Sequence, residues 1–134
     1  MIEYTEVLLR LVLPVVFGGL IGLEREVVHK PAGVRTHMLV SLGSALFVLV
    51  TLETLPNETA RIIAGIATGI GFLGAGTIFR SKSEVHGLTT AASIWAVAGV
   101  GIAIGLGYYL MTIIAVVIIL IVLHLKYIEF FKRL

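Results

Sequence analysis

Hydrophobic positions along this chain fall into long blocks separated by short charged clusters, a pattern of membrane-spanning helices rather than of half-buried surface elements. The first block runs from Val7 to Leu23, broken by Arg10 and by Pro14, a candidate kink. The second, Met38 to Leu52, is short, with Thr51 and Glu53 at its far end, and the third, Ile62 to Phe79, holds eighteen residues without a charge. From Gly87 to Leu123 there are 37 residues with no ionisable side chain except two tyrosines. As one helix that run would be about 55 Å long, nearly twice the hydrocarbon thickness, so it must fold back. Gly105-Leu106-Gly107-Tyr108-Tyr109 is the natural turn, because glycines release the helix and tyrosines sit at headgroup level. The pattern therefore predicts an all-α integral membrane protein, a compact bundle of about five transmembrane helices. The expected spans are 7–23, 38–52, 62–79, 88–106 and 108–125, in a single transmembrane domain covering 1–134 with no soluble domain.

Composition sharpens this reading. Charged residues make up 13% of the chain, against about a quarter in soluble domains, and the mean hydropathy is +1.08. No cleavable signal peptide is expected, since Arg10 interrupts the first block and no processing site follows. Cysteine is absent, which excludes thiol chemistry, and all eight carboxylates are glutamates. The basic residues orient the bundle. Arg25, Lys30, Arg35, Arg80, Lys82, Lys126, Lys132 and Arg133 gather on one side, while Arg10 and Arg61 lie on the other. Eight against two places the first group in the cytoplasm, the N-terminus outside and the C-terminus inside.

Two copies of one hairpin are visible in the first four spans. Gly19-Leu20-Ile21-Gly22 resembles Gly71-Phe72-Leu73-Gly74, and Gly33-Val34-Arg35-Thr36 resembles Gly87-Leu88-Thr89-Thr90, at offsets of 52 and 54. Such a repeat would be parallel, about an axis along the membrane normal. Fifteen glycines, including pairs four apart at 18 and 22, 65 and 69, and 101 and 105, suit close helix approach. Span three carries the most and is expected to be central. A rival reading has Gly69, Gly71, Gly74 and Gly76 in a locally unwound stretch that exposes backbone groups to an ion, as in discontinuous transporter helices.

The candidate site is a polar layer at the cytoplasmic span ends: Glu24, Arg25, Arg35, Thr36, His37, Arg80, Thr89 and Thr90. Charges at this depth need partners or water, and Glu24 with Arg25 or Arg35 is the obvious pairing. Thr36 and Thr90 stand where helix N-caps belong. Arg35 beside a helix start suits an anion, phosphate or a lipid headgroup. For Mg²⁺, which takes oxygen ligands, Glu24 and Glu26 are the candidates, opposed by three arginines in the same layer. Glu6, one turn before Arg10, would stabilise that arginine near the outer headgroups. No Ser–His–acid set, no carboxylate pair in a cavity-forming segment and no phosphate loop is present, so no enzyme is expected and no cofactor is implied. Nothing points to nucleic acid.

Four ordered blocks together resemble the membrane domain of the MgtC/SapB family: Gly19–Glu26, Gly33–Val40 with Gly43, Gly69–Ile78, and Gly87–Ser93 with Trp95. The resemblance covers residues from about 10 to 125. It implies a five-span bacterial or archaeal inner-membrane protein tied to growth in low magnesium and, in pathogens, to virulence. It further implies a membrane-protein partner such as the F-type ATP synthase. Two departures stand out: the chain stops soon after span five, where many members continue into a cytoplasmic domain, and Gly65 stands where a Gln is common. Two functions follow. One is a homeostasis protein that binds another membrane protein and so shows a lipid-accessible groove without a polar path. The other is a small transporter or channel for Mg²⁺ or an anion, with a cavity lined by span three. The scarcity of mid-membrane charge favours the first, because coupled carriers usually keep a carboxylate near the midplane. Lipid contact and a homodimer are expected, since five short helices bury little.

Overall fold

A computed structural model of the protein describes residues 1–128; Lys132 and Arg133, assigned to the basic side above, lie outside the described residues. Five helices follow one another: α1 (Tyr4–Val27), α2 (Val34–Thr54), α3 (Thr59–Ala75), α4 (Leu88–Gly105) and α5 (Tyr109–His124). Short 3₁₀ turns at Pro56–Glu58 and Leu125–Tyr127 precede α3 and extend α5. Four of these segments are long and apolar enough to cross a membrane: α1, α2, α4, and α5 with its extension. The fifth, α3, is shorter at 17 residues. The protein is an all-α, multi-pass membrane bundle.

Hydropathy and helix boundaries part company at two places. The apolar run of 62–79 outlasts its helix: α3 ends at Ala75, and a hairpin of β1 (Phe79–Ser81) and β2 (Glu84–His86) follows. The hairpin pairs Phe79 with His86 and Arg80 with Val85, and Lys82 takes the left-handed conformation, φ 55°, at its turn. Helix α2, conversely, begins at Val34, four residues before the apolar block, because polar Arg35, Thr36 and His37 form its first turn. Reversal between α4 and α5 falls at Leu106–Tyr108, where Gly107 has φ +87°. A side chain there would be strained and would also meet the Arg10 guanidinium.

The central helix is α4, not the glycine-rich α3. Helix α4 packs against all four others and buries Thr90, Ser93, Ile94, Val97, Ala98, Val100, Gly101, Ile104 and Gly105. On α3 only Gly74 is buried. The reason lies in where glycine meets backbone. A Cβ on Gly18 would come 2.6 Å from the His37 carbonyl oxygen, and one on Gly22 2.7 Å from the Val34 Cα. A Cβ on Gly101 would collide with the Ser41 carbonyl. These contacts close α1 and α4 onto α2 at backbone distance, which lipid alone cannot drive. Around Gly65, Gly69 and Gly71 a Cβ would meet nothing within 4 Å. The expectation that span three is ringed by the others is therefore corrected: its glycines leave space instead of filling it.

The repeat is visible in the turns. Gly33 and Gly87, 54 apart, are the N-caps of α2 and α4. Gly22 touches Val34 and His37, and Gly74, 52 further on, touches Ala91.

Candidate functional site

At the basic end of the bundle, three helix ends converge on a buried polar core. The last turn of α1 brings in Glu24 and Arg25. Arg25 is only 3% exposed, and its guanidinium grips the neighbouring Glu24 carboxylate through Nε at 2.5 Å and Nη2 at 2.9 Å. A buried arginine without this two-pronged partner would be strongly destabilising. Because Gly18 and Gly22 admit the α2 backbone, His37 in the first turns of α2 is sealed at 0% exposure. Its Nδ1 donates to the Gly33 carbonyl at 2.9 Å, and its Nε2 stands within hydrogen-bond distance, 3.0 Å, of the Ser93 hydroxyl. The Thr90 carbonyl, 2.8 Å from the same hydroxyl, competes for its proton. Helix α2 is thereby tied to α4 by one imidazole.

Glu24, Arg25, His37 and Thr90 from the expected polar layer are thus brought together, with Ser93 added. The other members are not. Arg35, Arg80 and Thr89 are exposed, and Arg80 lies on β1 beyond the end of α3 rather than closing a span. Thr36 and Thr90 do not cap their helices: Gly33 and Gly87 occupy the N-cap positions, and neither helix has a side-chain cap. One N–H of the first α2 turn is taken by Glu26, whose carboxylate accepts from Val34 N at 2.8 Å. Glu24 and Glu26 are therefore both engaged, one by Arg25 and one by the helix start. Among the described residues no group of three or more His, Cys, Asp or Glu could hold a metal. The unwound alternative for Gly69, Gly71, Gly74 and Gly76 is also corrected. Helix α3 runs unbroken through Ala75, and Gly76 is its right-handed C-cap.

Mid-membrane polar groups turn inward on their own helices. Ser44 donates to the Val40 carbonyl at 2.8 Å, Thr68 to Ala64 at 3.0 Å and Thr112 to Tyr108 at 2.8 Å. Among the described residues, Ser41 Oγ is the buried side-chain atom left without a partner.

A second polar network locks the opposite end. Arg10 donates to Glu6 at 2.9 Å and to the Gly105 carbonyl at 3.0 Å, and the Tyr109 hydroxyl donates to the same Glu6 oxygen at 2.6 Å. The Glu6–Arg10 spacing was readable in sequence; its link to the α4–α5 turn, 95 residues away, was not, because it depends on tertiary packing.

Between α2 and α3 lies a cleft of about 520 Å³, lined by Leu39, Val40, Gly43, Ser44 and Phe47 on one side and Ile62, Gly65, Ile66, Gly69 and Ile70 on the other. Its walls carry no charge. A smaller polar pocket of about 270 Å³ sits at the start of α2, among Glu26, Lys30, Gly33, Arg35 and Thr36.

The sequence matches the model of the MgtC family over residues 11–129. It is 45% identical over 113 residues to Protein MgtC of Salmonella typhimurium, covering 84% of this chain and 49% of that protein. It is 41% identical over 128 residues to the putative magnesium transporter YhiD of Escherichia coli K12, covering 89% of this chain and 60% of YhiD. An uncharacterized protein of Haemophilus influenzae is 39% identical over 128 residues, covering 87% of this chain and 54% of that protein. The chain thus spans about half the length of the curated relatives it matches. No solved structure matches it. The glycines that seat α2 against α1 and α4, the His37–Ser93 tie and the buried Glu24–Arg25 pair all lie within the matched segment, and the chain belongs to the MgtC family.

Proposed function

We propose that this protein is a bacterial inner-membrane component of magnesium homeostasis that acts by binding another membrane protein, not by conducting an ion. The magnesium link rests on the family and on the name of the Escherichia coli relative. The mode of action rests on one observation: the buried Ser44 and Thr112 hydroxyls bond to their own helix carbonyls, leaving Ser41 Oγ as the lone unpartnered buried side-chain atom among the described residues, while the large cleft is apolar. A hydrated divalent cation has no oxygen-lined route in such an interior, where unpaired charge is costly. What the bundle does offer a partner is the outward face of α3. Ala60, Ala64, Thr68 and Gly71 are exposed along it at helical spacing, a surface on which a neighbouring helix gains more contact than lipid does. A second copy of this chain can use the same face, giving the homodimer.

Flux tests decide the mode. Liposomes holding this protein alone should pass neither Mg²⁺ nor phosphate above the empty-vesicle rate; clear flux of either would make it a transporter, the reading the YhiD name favours. The chain has no natural cysteine, so Ala64→Cys in membranes should crosslink to a second copy or to a partner, and recovery of monomer alone would remove this face.

A further inference from the structure

The apolar cleft and the small polar pocket share helix α2. Arg35 and Thr36 line the pocket; Leu39 and Val40, four residues on, open the cleft. Four residues are one helical turn, so the cleft begins directly below the pocket on the same side of α2. From Arg35 to Phe47 the helix descends about 18 Å, close to the ~15 Å hydrocarbon depth of one leaflet. The two spaces are thus stacked along one side of α2, a cationic pocket at the rim above an apolar cleft.

Its dimensions suit acyl chains. The α3 wall from Ile62 to Ile70 is about 12 Å long, which leaves a mean cross-section of about 40 Å² for a 520 Å³ space. A helix 10–12 Å across needs about 80–110 Å². A polymethylene chain, whose carbons meet their neighbours at about 4 Å, needs about 20 Å². The cleft is open along one side, and its enclosed part has room for two acyl chains though not for the whole girth of a helix. Gly43, Gly65 and Gly69 make that width, since a Cβ at each would enter open space. At the rim, Lys30 and Arg35 line the pocket with one carboxylate, Glu26, and Glu26 is occupied by the Val34 N–H. The net charge of the pocket is positive, which complements an anionic headgroup and not a zwitterionic one.

We propose that this site holds an anionic phospholipid from the leaflet at the basic end, its phosphate at Arg35 and Lys30 and its acyl chains between α2 and α3. The inference goes beyond the partner-binding reading and uses the opposite face of α3, so either can fail alone.

Native mass spectrometry of the purified full chain tests it, with delipidated protein titrated with phosphatidylglycerol or phosphatidylcholine in the same detergent. Wild type should retain phosphatidylglycerol preferentially. Arg35→Ala should weaken that retention about fivefold, the scale of one basic residue at an anionic surface, and should narrow the preference over phosphatidylcholine. Gly69→Leu should lower retention of both lipids by filling the cleft, whereas Ala64→Leu on the other face and Lys82→Ala on the hairpin should lower neither. Circular dichroism and melting confirm that each variant is folded, and Gly69→Ala gives a milder filling if Gly69→Leu is not. Equal retention of the two lipids by wild type, or unchanged retention in Gly69→Leu and Gly69→Ala, overturns the proposal. So does displacement of the bound species by inorganic phosphate alone, which would make the pocket a free-phosphate site.

Discussion

The two hairpins of this bundle share a sequence plan and use it in opposite ways. In the α1–α2 hairpin both repeat glycines are spent on contact, Gly19 against the Met38 side chain and Gly22 against the α2 backbone; with Gly18 they bring α2 within reach of α1, and His37 and Arg25 are sealed behind them. In the α3–α4 hairpin the contact survives at Gly74 against Ala91, and the glycines above it face open space. The charged pair that closes the first hairpin, Glu24 and Arg25, has no counterpart in the second, where Gly76 and Thr77 stand at an offset of 52. The Thr77 hydroxyl bonds the Gly74 carbonyl at 2.7 Å, a neutral closure of the same corner. One copy has become the closed half and the other the open half. A glycine pair four apart permits close approach, and the neighbour decides whether approach occurs.

The largest effect should come from unbalancing the closed corner. Glu24→Ala leaves a buried Arg25 without its carboxylate, and loss of a partner in a buried ion pair costs about 3–5 kcal/mol. The protein should melt far below wild type in detergent, while Thr77→Val at the matched corner should shift melting little; equal sensitivity would mean that the two corners are built alike after all. Next comes Gly101→Ala. The added methyl meets the Ser41 carbonyl, which belongs to the α2 backbone and cannot swing aside, and overpacking of this kind costs about 1–3 kcal/mol. His37→Ala should cost a similar amount, since it removes the ring's bonds to the Gly33 carbonyl and the Ser93 hydroxyl and empties a sealed site. Thermal unfolding of the three variants in one detergent ranks them.

Much of this was legible before the fold was known, and what was not has physical causes. Long apolar blocks announce helices in lipid, and the 37-residue run had to turn near Gly107 on length alone. Glu24, Arg25, His37 and Thr90 were readable as a polar layer because they flank spans of one polarity. Arg35 and Arg80 carry the same pattern but point outward, and sequence spacing at a helix end does not say which side of the end a residue faces. The end of α3 was misplaced because Ile78 and Phe79 are apolar, and hydropathy does not distinguish a helix from an interfacial strand. The role of the α3 glycines was misread for a similar reason: glycine count measures capacity for contact, not contact itself.

The smallest predicted effect is the most diagnostic of that last point. Gly65→Ala adds a methyl where nothing lies within 4 Å, and alanine is the better helix former by about 1 kcal/mol. The substitution should leave stability unchanged or raise it by up to that amount. Gly22→Ala, the same chemical change in the other hairpin, should lower it, because the Val34 Cα would stand 2.7 Å from the new carbon. Opposite signs from identical substitutions are hard to obtain from helix propensity, which acts alike in both helices, so the sign isolates packing. Melting both variants side by side makes the comparison. A loss of stability in Gly65→Ala as large as in Gly22→Ala would mean that α3 is closed by a contact the single chain does not contain, and the open half would then be half of an interface.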